Sequence, residues 1–279
     1  MSKLMACVVG FPVKHSLSPL MHNAMYKKYD VDGRYDAREI SAGSQSEFEE
    51  EISALIEKGY INFNVTMPYK GNACLLCDEL DDVAAKLGSV NTILMRDEKL
   101  YGYSTDGEGF VRSLETSGLD LNNCKVLIVG AGGAAISIAD SLFGLGSKIY
   151  VTARRKEQAE TIKDSIGSQI SLIDFEDRNN DIDSFDLIVN ATSVGMTKDG
   201  KEDHNSPIDA SKLKPSQIVV DNIYNPKETA LLKAAKQAGG TTFNGLGMLA
   251  GQGEIAFELM TGVNIKHGDM YDVLLKNDD

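Results

Sequence analysis

The sequence predicts an α/β protein of two domains, the second of which is built on a doubly wound parallel sheet. Short strand-like runs alternate with helical runs along the 279 residues, and this alternation is typical of α/β folds. Four runs in the second half, at residues 125–130, 148–153, 185–190 and 218–223, are almost continuously apolar, as in parallel strands covered on both faces. A chain of 279 residues also fits two domains at roughly 150 residues each.

The elements of the first half are predicted in order. They are strand 4–10, helix 19–29, strand 34–40, helix 46–57, strand 60–66, helix 70–80, a hairpin of strands 90–95 and 100–105, and helix 107–116. The hydropathy pattern changes at residue 125, where the almost continuously apolar runs begin, so a domain boundary is predicted between residues 106 and 122. Near the end of the chain, residues 245–262 predict a helix whose apolar stripe includes one polar residue, Gln252.

Composition and charge exclude several classes of protein. Lys and Arg number 28 and Asp and Glu 41, so the net charge of −13 gives no basic footprint for nucleic acid or an anionic membrane. The longest uncharged run, residues 126–139, is shorter than the roughly 18 residues of a membrane span. Gly10 and Pro12 interrupt the apolar stretch 4–9, which is therefore interpreted as a buried strand and not as a signal peptide.

The four cysteines are too few and too scattered for a disulfide framework, and they indicate a reducing cytoplasm. Cys74 and Cys77 form a single CxxC motif. Zinc would need a second pair of ligands, and the four histidines lack the spacing to supply it. We therefore expect no metal site.

A glycine-rich turn follows the first apolar run of the second half. Gly130, Gly132 and Ala135 form the pattern G-x-G-x-x-A between a strand and a helix. Gly130 permits a tight turn, Gly132 lets a pyrophosphate approach the backbone, and Ala135 keeps the helix close to the strand. The motif predicts dinucleotide binding, with a turn of purely structural role as the alternative.

The end of the next strand indicates which dinucleotide would bind. An acidic residue about 20 residues after the glycines would hold the ribose 2′-hydroxyl of NAD, and none is present. Arg154 and Arg155 stand there instead, and their guanidinium groups suit a 2′-phosphate. We predict NADP(H) as the cofactor, with a solvated cationic turn as the alternative.

Polar residues in the first half are candidates for chemistry. Strand 60–66 alternates, with Asn62, Asn64 and Thr66 on one face, and Lys70 follows at a strand-to-helix junction. Taken alone, Lys70 is interpreted as a surface lysine.

The hairpin is predicted to bring Asn91 close to Asp106. A four-residue turn at 96–99 pairs residues whose numbers sum to 195, which places Asn91 opposite Ser104 and within two residues of Asp106. Both side chains should then converge on one end of the sheet. A turn or helix cap is the alternative role for Asp106.

Two serines precede the first helix. Pro19 suits the first helical position and Ser18 the N-cap. Ser16 is not needed for capping, and two hydroxyls beside a positive helix end would hold a carboxylate well.

Eight short motifs occur in order along the chain. They are His15-Ser-Leu-Ser-Pro19, Asn64-Val-Thr-Met-Pro-Tyr-Lys70, Gly88-Ser-Val-Asn-Thr92, Thr105-Asp-Gly-Glu-Gly109, Gly130-Ala-Gly-Gly-Ala134, Asn190-Ala-Thr-Ser-Val-Gly-Met196, Asp221-Asn-Ile-Tyr-Asn-Pro226 and Gly245-Leu-Gly-Met-Leu-Ala-Gly-Gln252. Together they resemble the motifs of the shikimate/quinate dehydrogenase family, over essentially the full length of the chain.

The resemblance implies an N-terminal α/β substrate domain and a Rossmann-type NADP domain. It implies an enzyme that reduces 3-dehydroshikimate to shikimate with NADPH, on the route to chorismate and the aromatic amino acids. The chain would divide into a substrate-binding and catalytic domain at 1–106, an NADP-binding domain at 107–244 and C-terminal helices at 245–279 that return to the substrate domain.

The resemblance also implies roles for individual residues. The substrate carboxylate would be held by Ser16, Ser18 and Tyr224, and the ring hydroxyls by Thr66, Lys70, Asn91, Asp106 and Gln252. The cofactor would contact Gly130, Ala131, Gly132, Gly133 and Ala134 at the pyrophosphate, Arg154 and Arg155 at the 2′-phosphate, Thr192, Asn222 and Gly245 along the ribose and nicotinamide, and also Asp82.

Lys70 is the natural proton donor for such a reaction. Hydride transfer to the C3 carbonyl builds negative charge on its oxygen, which a donor within about 3 Å must stabilise and protonate. Asp106 would orient the ammonium group, and whether Lys70 acts alone or jointly with Asp106 stays open. Ala153 and Arg155 replace the asparagine and threonine of the family's usual Asn-Arg-Thr segment, so the adenosine contacts are expected to be rearranged.

Three alternatives are open. The first is an enzyme of the same fold that acts on quinate or another hydroxylated cyclohexene acid, with NAD or NADP; Ser18 and the arginine pair favour shikimate and NADP. The second is a non-catalytic NADPH-binding regulator, against which Lys70 and Asp106 argue. The third, a folate-dependent dehydrogenase of similar architecture, does not explain the paired serines. We expect a cytoplasmic protein with a small-molecule substrate and no nucleic-acid or membrane partner, and a homodimer is compatible with the sequence.

Overall fold

The computed structural model describes residues 3–198 and 200–277, and the chain divides into two compact units. The first unit comprises Met1–Gly109 and Leu249–Asp279, and the second comprises Phe110–Met248. These changes of unit lie within about four residues of the boundaries that we placed at 106 and 244. In the described part of the chain, no helix is both long and apolar enough to cross a membrane.

The first unit contains a six-stranded mixed sheet. Its elements up to the change of unit are β1 (Leu4–Gly10), α1 (Ser18–Lys28), β2 (Gly33–Glu39), α2 (Gln45–Glu57), β3 (Asn62–Val65), α3 (Lys70–Leu76), β4 (Glu79–Leu80), α4 (Asp82–Leu87), β5 (Thr92–Arg96), β6 (Lys99–Tyr103) and α5 (Asp106–Glu115). The strand order is β2-β1-β3-β5-β6-β4. β1 runs parallel to β2 and β3, whereas β5 runs antiparallel to β3 and β6.

The strand β3 lies in the interior of this sheet, and its side chains are buried on both faces. Phe63 and Val65 contribute to an apolar core with Phe48 and Ile52 of α2. The opposite face carries the asparagines of β3, which are buried as well. Buried amides need hydrogen-bond partners, so this polar face predicts a network beside the carboxyl end of β3.

The hairpin β5–β6 has the register that the sequence predicts, but a shorter turn. Thr92 pairs with Tyr103 and Arg96 with Lys99, so the sum of 195 is confirmed. The turn has two residues instead of four: Asp97 and Glu98, with φ of +49° and +62°. Two positive φ values in succession define a type I′ turn, whose twist matches that of the strands.

The predicted helix 70–80 is wrong in its second half. α3 ends at Leu76, and the next residues form β4 and α4, which were not predicted. The backbone N–H of Asp78 donates to the carbonyl of Leu100 at 2.9 Å, and the Asp78 carboxylate accepts from the N–H of Leu100 at 2.8 Å. Pairing with β6 therefore overrides the local helical pattern.

The second unit contains a six-stranded sheet in which all strands are parallel. Its elements are β7 (Lys125–Val129), α6 (Gly133–Gly144), β8 (Lys148–Thr152), α7 (Lys156–Ile166), β9 (Ser171–Leu172), β10 (Leu187–Asn190), β11 (Ile218–Asp221), α8 (Ala230–Gln237) and β12 (Thr241–Phe243). The order β12-β11-β10-β7-β8-β9 reverses direction between β7 and β10. This is the doubly wound arrangement, in which ligands bind at the carboxyl ends of the strands beside the reversal.

The chain returns to the first unit through α9 (Leu246–Thr261), and α10 (Asp269–Lys276) follows. The buried carboxylate of Glu254 in α9 accepts from the backbone N–H groups of Gly268 and Met270 at 2.8 and 3.2 Å. An acceptor at the amino end of α10 satisfies N–H groups that have no partner within the helix, and so it joins the two helices.

Candidate active site

Lys70 is held at the start of α3, directly after the carboxyl end of β3. Its backbone carbonyl accepts from the N–H of Val90 at 3.1 Å. Its ammonium group forms an ion pair and hydrogen bond with Asp106, the first residue of α5. The side chains are 17% and 8% exposed, so solvent screens this pair far less than a surface pair. Lys70 is therefore not a solvated surface lysine.

Asn91 holds the other oxygen of Asp106. The Asn91 Nδ2 donates to Asp106 Oδ1 at 3.0 Å and to Thr105 Oγ1 at 2.8 Å, and its Oδ1 accepts from the N–H of Thr105 at 2.8 Å. Asp106 thus accepts from Lys70 on one oxygen and from Asn91 on the other. The register of the hairpin produces this convergence, because Asn91 directly precedes β5.

Gln252 of α9 lies at the edge of the same cluster. Its Oε1 is 3.4 Å from Asn91 Nδ2, and its Nε2 donates to the carbonyl of Leu249 at 2.8 Å. The hydroxyl of Thr105 donates to the Gln252 carbonyl at 3.3 Å, which fixes this turn of α9 against the start of α5. Lys70, Asn91, Asp106 and Gln252 therefore form one group of donors and acceptors within the first unit.

The two serines do not have the roles that helix capping predicts. Leu17 is the N-cap of α1 and makes no side-chain cap bond, so the N-cap prediction for Ser18 is wrong. Ser18 is the first helical residue and is buried. The Oγ of Ser16 accepts from the N–H of Ser18 at 3.3 Å. Both hydroxyls lie at the amino end of α1, as expected.

Tyr35 and Asn64 extend this group, and neither was among the predicted site residues. The phenol of Tyr35 donates to Asn64 Oδ1 at 2.6 Å. The Asn64 Nδ2 donates to Thr92 Oγ1 at 3.0 Å and to the Asn91 carbonyl at 3.3 Å. Asn64 lies on the polar face of β3, which was a usable signal, whereas the sequence around Tyr35 contained none.

Thr66 follows β3 directly and is half-buried. Its backbone N–H donates to the carbonyl of Val9 at 2.9 Å, so it extends the pairing of β1 and β3 by one residue. Asp82 is exposed in the first turn of α4, where the neighbouring Asp81 accepts from the N–H of Ala84 as the N-cap. Its contact with a cofactor stays a prediction.

The glycine-rich turn of the second unit lies between β7 and α6. Gly130 has φ of +113°, and a Cβ there would be 2.8 Å from the carbonyl oxygen of Ala191, so another residue would be both strained and crowded. Gly132 is the N-cap of α6 and has no side-chain cap bond. A Cβ on Gly132 would meet nothing within 4 Å. The amino end of α6 is thus open to an anion, as a pyrophosphate requires.

Arg154 lines a groove that begins at the carboxyl end of β8. The other lining residues are Ala153, Lys156, Ala159, Leu172, Ile173, Asp174 and Phe175. Arg155 is exposed and is the N-cap of α7, outside that lining. The lining is mostly apolar and carries Arg154, Lys156 and the carboxylate of Asp174, which lies 4.0 Å from Lys156. An apolar groove with Arg154 beside it fits an adenosine that carries a phosphate, and so the residues present fit NADP(H).

Three further predicted cofactor residues lie on loops at the carboxyl ends of β10 and β11 and at the start of α9. The Thr192 hydroxyl donates to Asn190 Oδ1 at 2.7 Å, and the N–H of Gly245 donates to the Ile223 carbonyl at 3.0 Å. Both amide atoms of Asn222 are shielded from solvent and have no hydrogen-bond partner among the described residues. An orphaned amide of this kind is suited to a ligand that supplies the missing partners.

Tyr224 lies on the loop after β11 in the second unit, and burial raises the pKa of its phenol. Its predicted contact with a substrate carboxylate stays a prediction. No group of three or more His, Cys, Asp or Glu side chains within 3–198 and 200–277 is arranged to hold a metal ion.

Comparison with known proteins gives three matching family models. "Shikimate dehydrogenase substrate binding domain" matches residues 8–93, "Shikimate / quinate 5-dehydrogenase" matches 113–237, and "Shikimate 5'-dehydrogenase C-terminal domain" matches 245–275. The chain is 38% identical over 263 residues to the NADP(+) shikimate dehydrogenase of Methanopyrus kandleri, covering 91% of this chain and 89% of that protein.

Two solved structures show the same similarity in three dimensions. The shikimate 5-dehydrogenase of Thermus thermophilus in complex with NADP(H) and shikimate is 30% identical, with a TM-score of 0.87 over 98% of this chain and 99% of that one. The quinate dehydrogenase of Corynebacterium glutamicum in complex with NAD is 28% identical, also with a TM-score of 0.87, over 98% and 99%. Family models, sequence relatives and folds agree, and the chain therefore belongs to the shikimate dehydrogenase family.

Proposed function

We propose that this protein catalyses the reversible, NADPH-dependent reduction of 3-dehydroshikimate to shikimate, a step towards chorismate and the aromatic amino acids. The observation that carries the proposal is the ion pair of the half-buried Lys70 with the buried Asp106, supported by Asn91, in a chain of this family. The four cysteines are free thiols, which suits an enzyme of the reducing cytoplasm.

The cofactor supplies the hydride when it is bound. The residues implied for it are the turn Gly130 to Ala134 at the pyrophosphate, Arg154 and Arg155 at the 2′-phosphate, and Thr192, Asn222 and Gly245 along the ribose and nicotinamide. The open amino end of α6, the groove beside Arg154 and the orphaned amide of Asn222 support these assignments. Asp82 is retained as a further candidate.

Lys70 is the proposed proton donor. Negative charge develops on the C3 oxygen of the substrate as the carbonyl becomes an alcohol, and the ammonium group stabilises that charge and then gives up a proton to the oxygen. In the reverse direction, the Lys70 amine accepts the proton of the shikimate hydroxyl. Asp106 orients the ammonium group through its hydrogen bond, and Asn91 fixes the Asp106 carboxylate.

The remaining polar residues bind the substrate in this proposal. Ser16 and Ser18 at the amino end of α1 hold the carboxylate, where the helix N-terminus adds favourable electrostatic attraction, and Tyr224 assists them. Thr66, Asn91 and Gln252 join Lys70 and Asp106 in contacting the ring hydroxyls.

A matrix of two substrates and two cofactors tests the proposal. The purified full-length chain is given shikimate or quinate with NADP or NAD, and the reduced cofactor is followed at 340 nm. We expect the highest kcat/KM for shikimate with NADP. A higher value for quinate would assign the protein to the quinate branch, and NADPH binding without any oxidation would identify a regulator; either outcome overturns the proposal.

A further inference from the structure

Two fully buried polar residues lie side by side at the carboxyl ends of the central strands of the second unit. Asn190 ends β10 and Asp221 ends β11, and the two residues are paired in the register of the parallel strands. Both are 0% exposed. Burying a carboxylate beside an amide is costly unless every polar atom has a hydrogen-bond partner. The hydrogen bonds of this pair therefore show which segments the two side chains fix in place.

Asn190 uses its full hydrogen-bonding capacity. Its Oδ1 accepts from the N–H and the hydroxyl of Thr192 at 3.0 and 2.7 Å, and its Nδ2 donates to the Val194 carbonyl at 3.1 Å and to Asp221 Oδ1 at 3.0 Å. An amide has two donors and two acceptor sites, and all four are engaged. The side chain therefore folds the loop after β10 into one conformation.

Asp221 does the same for the loop after β11. Its Oδ1 accepts from the N–H of Ile223 at 3.1 Å as well as from Asn190, and its Oδ2 accepts from the hydroxyl of Thr229 at 2.7 Å. The backbone joins the two loops directly, because the N–H of Asn222 donates to the Asn190 carbonyl at 3.0 Å. Asn222 is thus fixed by its backbone, while its side-chain amide has no hydrogen-bond partner within residues 3–198 and 200–277.

We propose that Asn190 and Asp221 are positioning residues for the cofactor: they hold Thr192 and Asn222 in the geometry that binds NADP(H), without touching the cofactor themselves. The inference rests on the proposed function for the identity of the ligand and for the assignment of Thr192 and Asn222 to it. Each of the two loops carries one residue assigned to the ribose and nicotinamide, and each loop is fixed by one member of the buried pair. Breaking the pair should therefore weaken cofactor binding through both loops.

A buried polar residue at the other end of β11 provides a matched control. Gln217 directly precedes the strand and is also buried; its Nε2 donates to the carbonyls of Ile182 and Phe185 at 2.7 and 2.8 Å, and its Oε1 accepts from the N–H of Lys214 at 2.7 Å. Gln217→Ala removes three hydrogen bonds, two of them buried, beside the same strand, at the end remote from the two loops. This variant therefore distinguishes a general loss of stability from a specific loss of cofactor binding.

The experiment measures the Kd of NADPH by fluorescence titration without substrate, together with the Tm, for the full-length chain. We expect Asn190→Ala and Asp221→Ala to raise the Kd at least about tenfold, whereas Gln217→Ala lowers the Tm to a similar degree and leaves the Kd within about twofold. With cofactor at saturation, the KM for shikimate should stay within about twofold in all three variants. Unchanged Kd values in the two alanine variants, or an equal rise in Gln217→Ala, would overturn the inference.

An exchange of the two side chains supplies a second test at constant size. Asn190→Asp brings two carboxylates into contact and should raise the Kd like the alanine variant. Asp221→Asn keeps an acceptor for Asn190 and should stay within about threefold of wild type. In the double variant an oxygen still faces the Val194 carbonyl in place of the amide donor of Asn190, so its Kd should stay as high as that of Asn190→Asp; a wild-type Kd in Asn190→Asp contradicts the inference. A wild-type chain that binds NADPH but does not oxidise shikimate refutes the proposed function and leaves these binding comparisons intact.

Discussion

His22 shows at the scale of one residue how burial controls a titratable group. Its ring is fully buried in α1 and stacks on Tyr35, with centroids 4.1 Å apart and planes 7° from parallel. Neither ring nitrogen has a partner among the described residues. Burial lowers the pKa of His22 from its ordinary value of 6.5 to about 3, because a charged imidazolium would lose its hydration there.

This burial predicts a loss of stability in mild acid. Below pH 6.5 the unfolded chain binds a proton at His22, which the folded chain does not bind until about pH 3. The free energy of unfolding should therefore fall by about 2 kcal/mol more in wild type than in His22→Phe between pH 7.5 and pH 5, since each pKa unit is worth about 1.4 kcal/mol. Phenylalanine preserves the stack, and urea denaturation at each pH measures the difference.

The exposed His204, whose side chain is 84% accessible, gives the matched control. His204→Gln should follow the wild-type curve. If His22→Phe loses stability in acid as steeply as wild type, the unfavourable protonation does not occur at His22.

Under the proposed function, the preference for NADP over NAD is also decided by single residues. Arg154 lines the groove of the second unit, so Arg154→Ala should lower kcat/KM with NADP by about 10- to 100-fold, the usual range for one charge-assisted hydrogen bond, and leave kcat/KM with NAD nearly unchanged. Arg155→Ala should have a smaller effect, because Arg155 lies outside the groove lining. Equal losses with both cofactors would show that Arg154 does not contact the 2′-phosphate.

At the scale of elements, a close backbone contact between α5 and α9 fixes the position of Gln252. A Cβ on Gly251 in α9 would lie 2.3 Å from the carbonyl oxygen of Gly109 in α5, and a Cβ on Gly109 would lie 2.3 Å from the backbone nitrogen of Gln252. Only glycine at both positions lets the backbones approach so closely. The contact brings Gln252 to Asn91 and Thr105.

Gly251→Ala should therefore separate α9 from α5 and displace Gln252. We expect the KM for shikimate to rise at least about tenfold and the Kd of NADPH to stay within about twofold. Gly144→Ala, at a helical glycine of α6 where a Cβ meets nothing within 4 Å, is the control and should change neither constant. A normal KM in Gly251→Ala would mean that the position of Gln252 does not depend on this contact.

The elements also show what can be predicted from local sequence. The hairpin register follows from the spacing of two apolar runs and a polar turn, and it correctly brings Asn91 to Asp106. β4 and α4 were missed because pairing of Asp78 with Leu100 ends α3 early, and nothing in the local pattern reports a partner 22 residues away. Tyr35 was missed for the same reason: its hydrogen bond to Asn64 forms only when β2 and β3 assemble in one sheet.

At the scale of the whole molecule, the net charge of −13 opposes both proposed ligands, which are anions. Binding must therefore depend on a few local groups: Lys70 and the amino end of α1 in the first unit, and Arg154 and the amino end of α6 in the second. The doubly wound sheet was predicted from continuous apolar runs, because burial on both faces leaves that pattern in the sequence. The buried polar networks of each unit could not be predicted in this way, because their hydrogen bonds join segments that are distant in the sequence.

The most direct test of the account is the rate of Lys70→Ala. The kcat for NADP-dependent oxidation of shikimate is measured at 340 nm, alongside the Kd of NADPH, with the exposed Lys58→Ala as control. Removing the proposed proton donor should lower kcat by about 100- to 10,000-fold and leave the Kd of NADPH within about twofold, because the proposed contacts of Lys70 are with the substrate and not with the cofactor. A kcat for Lys70→Ala close to that of wild type would contradict the proposed role of the Lys70–Asp106 pair.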